Sequence, residues 1–263
     1  MKTFFLSLRS EYFKSRNTLS FWGAIILPTA LCFLVFLGFY LKTEDIVSRF
    51  KGVPANGNLI WSQYIGAIMG PMGTLLLPVY LIFMTYSVNS IEHKAETWKS
   101  LFSLPIPKTT VYFSKALYTL LLVLISMVLF VSLSLGLGLL LGKLSPQLNM
   151  MDADVSKISK DLLQVYVKLY IASFGIIAVQ FLFSLIWQDF MKPMGLGFVL
   201  LVASLIAFQW EYSYLSPFAL PIRSIMEGKK ELVFFTKELW ISLAYAAGFF
   251  TLGYFIVTKR SVK

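Results

Sequence analysis

The sequence predicts an all-α membrane protein that crosses the bilayer six times. Three observations carry that expectation. Of 263 residues, 57% are hydrophobic and only 14% charged, against about 25% charged in ordinary globular chains. Mean hydropathy is +0.74. The apolar residues also gather into six charge-free runs, most of them long enough to span, since a crossing needs about 20 residues at a rise of about 1.5 Å each.

The expected spans run from 19–41, 63–89, 116–142, 169–188, 194–209 and 239–258. Residues 2–16 precede them, with Phe4, Phe5, Leu8 and Tyr12 on one side of a helix and Ser7, Ser10 and Lys14 on the other. This pattern suits an interfacial helix, although Lys2, Arg9 and Arg16 fall on the apolar side and would have to snorkel to phosphate. A basic flank orienting the first span explains the segment equally well. These residues hold no long apolar core, so no cleavable leader is expected. Pro71 and Pro78 should kink span two. Gly66, Gly70 and Gly73 in the same span, and Gly138 and Gly142 in span three, offer small-residue positions for close helix packing. Span five is short, and 212–221 (YSYLSPFALP) after it is apolar and broken by Pro217 and Pro221. It is either a re-entrant piece, which needs its backbone covered, or an interfacial loop with an aromatic belt. Lys and Arg divide almost evenly between the two sides. The four on the inner flank of span one tip the balance toward both termini in the cytosol.

All acidic and basic residues and the only histidine, His93, fall outside these expected spans. A proton- or sodium-coupled carrier usually keeps an ionisable group within the bilayer, and an intramembrane protease needs paired Asp, His-Glu-x-x-His or Ser with His there. No catalytic residue and no metal-ligand set is therefore expected. The net charge of +10 is scattered between apolar runs, which favours membrane lipid over nucleic acid as its partner. Gly142-Lys143 and Gly228-Lys229 lack the glycine spacing and Ser/Thr of a phosphate-cradling loop. Energy for uphill movement would have to come from another chain.

Between spans two and three, Asn89 followed by Glu92 reads as a helix start. Ile91, Ala95, Trp98 and Phe102 then make one apolar face, with Glu92, His93, Glu96, Lys99 and Ser100 turned largely toward water. Pro105 and Pro107 end it. Such a helix either lies in the interface as working machinery or merely connects two spans.

Glu92-His-Lys-Ala-Glu-Thr97-Trp-Lys-Ser-Leu101-Phe-Ser-Leu104-Pro105, with Lys115 ten residues on, resembles the ABC-2 family of ABC-transporter permeases. Glu96 stands where that family usually has glycine. Ser216-Pro217-Phe218 is similar to the family's stretch after span five. The resemblance implies a permease subunit in the cytoplasmic membrane, with both termini inside, that pairs with a second copy or a homologous permease. Its coupling helix, about 90–103, would rest in a groove of a cytosolic ABC ATPase through Glu92, His93, Glu96, Thr97, Trp98, Lys99 and Leu101. ATP and Mg would be held by that partner, and this chain would carry no cofactor and catalyse nothing itself. Family members export peptides, lipids and drug-like amphiphiles, and a compact unit of this length looks most like those for peptide-antibiotic export or immunity. The alternative is a non-transporting membrane scaffold or assembly partner.

Overall fold

A computed structural model describes residues 2–49, 56–94, 106–227 and 235–259, and among these it contains helices and turns but no strand. The helices are α1 (Lys2–Ser15), α2 (Leu19–Leu41), α3 (Thr43–Ser48), α4 (Gly57–Pro71), α5 (Leu77–Lys94), α6 (Lys108–Leu144), α7 (Val155–Ile186), α8 (Met191–Ile206), α9 (Leu220–Glu227) and α10 (Lys237–Lys259). Six helical stretches are long and apolar enough to cross a membrane: Ser20–Leu41, Gly57–His93, Lys108–Leu144, Val155–Ile186, Met191–Gln209 and Lys237–Lys259. The protein is a six-helix membrane protein, as the sequence predicts.

Three of these helices outrun the hydropathy. The second and third are 37 residues each, about 55 Å of helix against about 30 Å of hydrocarbon. Counting apolar residues stops a span at its first charge, whereas the helices continue through Glu92, Lys115 and Lys168, all of which are buried. These charges stand just outside the expected spans, on the helical extensions, and are buried against neighbouring helices rather than turned to water.

Span two is built as the prolines require. Neither Pro71 nor Pro78 can donate to the helical ladder, and between them the chain opens into one π-helical turn, Met72–Leu76. Thr74 bonds back to Gly70 O at 2.7 Å. Helix α1 and the last turns of α10 lie at one end of the bundle, both against the start of α6. There Tyr112 donates to Phe250 O at 2.7 Å and its ring meets Tyr254.

Glycines set the tightest approaches, but not the ones the sequence singles out first. A Cβ on Gly66 or Gly70 would meet nothing within 4 Å, so neither serves packing inside the chain. Gly73 faces Ile225 of α9, at 3.2 Å from its would-be Cβ. A close approach between spans occurs at Gly138 of α6, which lies against the Trp61 ring of α4. Trp61 is fully buried and donates from Nε1 to Met150 O at 2.9 Å.

After α8 the chain turns through Ala207–Gln209 and Glu211–Leu215. Trp210 and Tyr212 are exposed there, whereas Phe218, Ala219 and Leu220 are buried. The proline-broken piece folds onto α7 and the π turn, with Pro217 against Gly175 and Ile225 against Gly73. Within 212–221, Ser213 and the stretch from Phe218 to Pro221 are buried, while Tyr212 and Leu215 are exposed.

These contacts predict opposite outcomes for two kinds of glycine. Gly138→Ala should destabilise the fold by about 1–3 kcal/mol through overpacking. Gly66→Ala and Gly70→Ala should be neutral or stabilising by up to about 1 kcal/mol, the helix-propensity gain. The only cysteine, Cys32, is buried, so its thermal onset of thiol labelling in detergent reports all three.

Candidate functional site

Helix α1 docks by its polar side. Ser7, Glu11 and Ser15, spaced four apart on one face, are all buried, while Phe5, Leu6, Tyr12 and Phe13 are exposed. Ser7 Oγ lies 2.7 Å from Ser114 Oγ of α6, and Ser15 Oγ hydrogen-bonds Tyr118 OH. In lipid an apolar surface gains little by facing protein, so polar contacts choose the docking face. The sequence reading of an apolar side and a polar side stands, and the polar side turns inward.

At the centre of this seam four charges close a ring. Lys115 Nζ donates to Glu11 Oε2 and Glu92 Oε2, both at 2.7 Å, and to Val88 O at 3.3 Å. Its three N–H groups are all used. Lys14 Nζ donates to Glu11 Oε1 and Glu92 Oε1, both at 3.1 Å. Each carboxylate thus touches both ammoniums, and the net charge is zero. The side chains of Glu11, Glu92 and Lys115 are at most 2% exposed, that of Lys14 31%.

Burying an ion costs several kcal/mol, while one opposite charge about 4 Å away returns on the order of 4 kcal/mol at an effective dielectric near 20. A single pair would at best break even. Two opposite neighbours per ion, with the remaining lysine donor on a carbonyl, tip the balance toward the closed ring. Burial works against the Lys14 charge, but Glu11 and Glu92 outweigh it and hold the ammonium above its ordinary value. The sign follows: its contribution is complete below about 10.4, the unfolded lysine value, and is lost only as pH rises through the higher folded value. At neutral pH it is fully present.

A second polar contact holds the other side of the same helix end. Asn89 Nδ2 donates to Ser184 Oγ of α7 at 2.7 Å, and His93 Nε2 donates to Ser184 O at 2.9 Å. Tyr86, one turn back, reaches Gln188 O at 3.4 Å. The last turns of α5 are gripped on one face by α1 and α6 and on the other by α7.

Glu92 and His93 were expected on a water-facing edge, and here the structure corrects the sequence reading. Both are buried, at 1% and 8% exposure, because their charge and ring nitrogen are satisfied by neighbouring helices rather than by solvent. Asn89 starts no new helix either, since α5 runs through it to Lys94. Of the other coupling-helix residues, Glu96, Thr97, Trp98, Lys99 and Leu101 lie outside the described residues. Helix α6 resumes at Lys108 behind Pro107, and Lys115 sits two turns into it. Glu92 near the end of α5 and Lys115 near the start of α6 are thus two members of one ring. Sequence reasoning missed Glu11, Lys14 and Ser184 as parts of this site. The signal for the first was present in the Ser7-Glu11-Ser15 spacing. Nothing local marks Ser184.

A protein-family model described as ABC-2 family transporter protein matches residues 7–204, which include every member of the ring. No curated protein and no solved structure matches the chain.

Removing one charge should cost more than removing two of opposite sign. Lys115→Met leaves two buried carboxylates sharing Lys14 and should lower stability by about 3–5 kcal/mol. Adding Glu11→Gln should recover part of the loss, giving a coupling of about 1–3 kcal/mol. Denaturation followed by Cys32 labelling measures both. Strict additivity would show that the ring does not act as a unit.

Proposed function

This chain belongs to the ABC-2 family of transporter proteins, and on that premise we propose that it is the permease subunit of an ATP-driven exporter, powered by a separate cytosolic ABC ATPase. The observation that carries this reading is the family match across residues 7–204. The sequence contains no Gly-x-x-x-x-Gly-Lys-Ser/Thr stretch of its own, which supports placing ATP and Mg on the partner. Both termini face the cytosol in this reading, and a second permease completes the translocation unit. The substrate is an amphiphile, a peptide, lipid or drug-like molecule, for which apolar spans with scattered hydroxyl and amide groups are suited.

The coupling helix then occupies 90–103 in part as the end of α5 and in part as the segment beyond it. Trp98, with Glu96, Thr97, Lys99 and Leu101, is the portion that meets the ATPase. Glu92 and His93 act one step behind it, receiving motion rather than touching the partner. A push on 95–107 acts on both its ends at once through the Glu92–Lys115 contact. It reaches α1 through Glu11 and span four through Ser184.

Gentle solubilisation should bring down a nucleotide-binding subunit, and the chain purified alone should hydrolyse no ATP. Loading inverted vesicles with ATP outside should drive substrate inward. Trp98→Ala should weaken ATPase association or transport at the contact itself. Glu92→Gln should leave the complex assembled while transport falls about tenfold and substrate stimulation of hydrolysis is lost. Recovery of the chain without any ATPase, from cells that express one, would favour the scaffold instead. Hydrolysis by the chain alone would end the permease reading.

A further inference from the structure

Docking α1 by its polar stripe leaves the other flank of that helix unmatched. Between this flank, the first turn of α2 and the outer face of α6 lies a groove of about 380 Å³, within the roughly 300–1,000 Å³ typical of small-ligand pockets. Phe5, Tyr12, Phe21, Leu122 and Ile125 line it, and Arg9 is the one charged residue on its wall. Tyr12 and Phe21 meet edge to face at 5.8 Å and join α1 to α2 across it.

The charge around the groove has one sign. Glu11 is the only acidic residue of α1, and it is turned inward and engaged by Lys14 and Lys115. Arg9 and Arg16 sit 5.4 and 5.3 Å from the Phe13 ring, and neither has an acidic partner among the described residues. The lining is apolar, so Arg9 borders the groove by its stem while its guanidinium stands over Phe13, outside the lining. An apolar groove with a guanidinium at its rim fits a long hydrocarbon ligand that ends in an anion. A soluble anion would have no use for the apolar lining, and a zwitterionic lipid would bring no net charge to Arg9.

We propose that this groove binds one acyl chain of an anionic glycerophospholipid from the leaflet at the N-terminal end of the bundle, with the headgroup phosphate on Arg9. The lipid completes the packing of α1 and so supports the helix that carries Glu11. The site stands independently of the transport reading.

The test uses the full chain in neutral detergent, with the thermal onset of Cys32 labelling as readout. Phosphatidylglycerol should raise that onset saturably, and phosphatidylcholine or inorganic phosphate should not. Arg9→Gln should leave the lipid-free onset unchanged and raise the phosphatidylglycerol concentration for half effect about fivefold, the share of one basic residue near an anionic surface. Ile125→Trp should fill the groove and abolish the response. Should that variant melt early without lipid, Leu121→Phe, at another residue of the groove wall, replaces it, and the mass of lipid retained by the wild type gives a readout that needs no variant. Equal stabilisation by phosphatidylcholine, reproduction of the effect by phosphate alone, or an unchanged titration in Arg9→Gln would each overturn the proposal.

Discussion

Two carboxylates and two ammoniums can share a site removed from water only if every ion has more than one opposite neighbour. In this protein that requirement is met by three separate pieces of chain: Glu11 and Lys14 from α1, Glu92 from the end of span two and Lys115 from the start of span three. None of the three could keep its charge buried alone, since the desolvation cost of each exceeds what one partner returns. The ring therefore fixes the relative position of all three helices at this end of the bundle. The order of charges alternates around the ring, so a shift of any member brings like charges together.

Elsewhere the helices are held by the means a bilayer leaves available. Apolar surface is nearly as content against lipid as against protein, so hydrogen bonds and close backbone approach decide which faces meet. Ser242 of α10 illustrates the first. Its hydroxyl accepts from Gly175 N at 2.9 Å and donates toward Ile171 O and Ala172 O, both at 2.9 Å, joining spans four and six. Gly138 beneath Trp61 illustrates the second. Helix α1 obeys the same rule, with its serines toward protein and its aromatics outward.

The arrangement ties the end of span two and the start of span three to one point, since Glu92 and Lys115 are in direct contact. Glu11 joins α1 to the same point, and the Asn89 and His93 contacts to Ser184 join span four. Under the proposed permease function, motion delivered to the end of α5 would reach all four elements through these contacts. The π turn at Met72–Leu76, far along span two and packed against α9, marks where that helix departs from a straight rod.

The sequence by itself determined the class of protein, the number of spans and the site of the proline distortion, because composition and the chain's own periodicity act locally and need no partner. Its polar stripe on α1 was also legible, as was the resemblance around 92–105. Which way that stripe faces was not, since hydropathy alone sends aromatics inward and serines outward, the rule of water rather than of lipid. Nor could spacing reveal that Glu92 is buried. Helical periodicity predicts a solvent-facing position for it, and only the arrival of Lys115 and of α1 from 81 residues earlier in the chain (Glu11 to Glu92) makes burial affordable. Gly66-Gly70 and Gly138-Gly142 share one spacing, yet only the second pair meets other side chains closely, because what matters is the group that happens to stand opposite. Tertiary structure decided these points because each depends on a charge, a ring or a carbonyl supplied by a distant part of the chain.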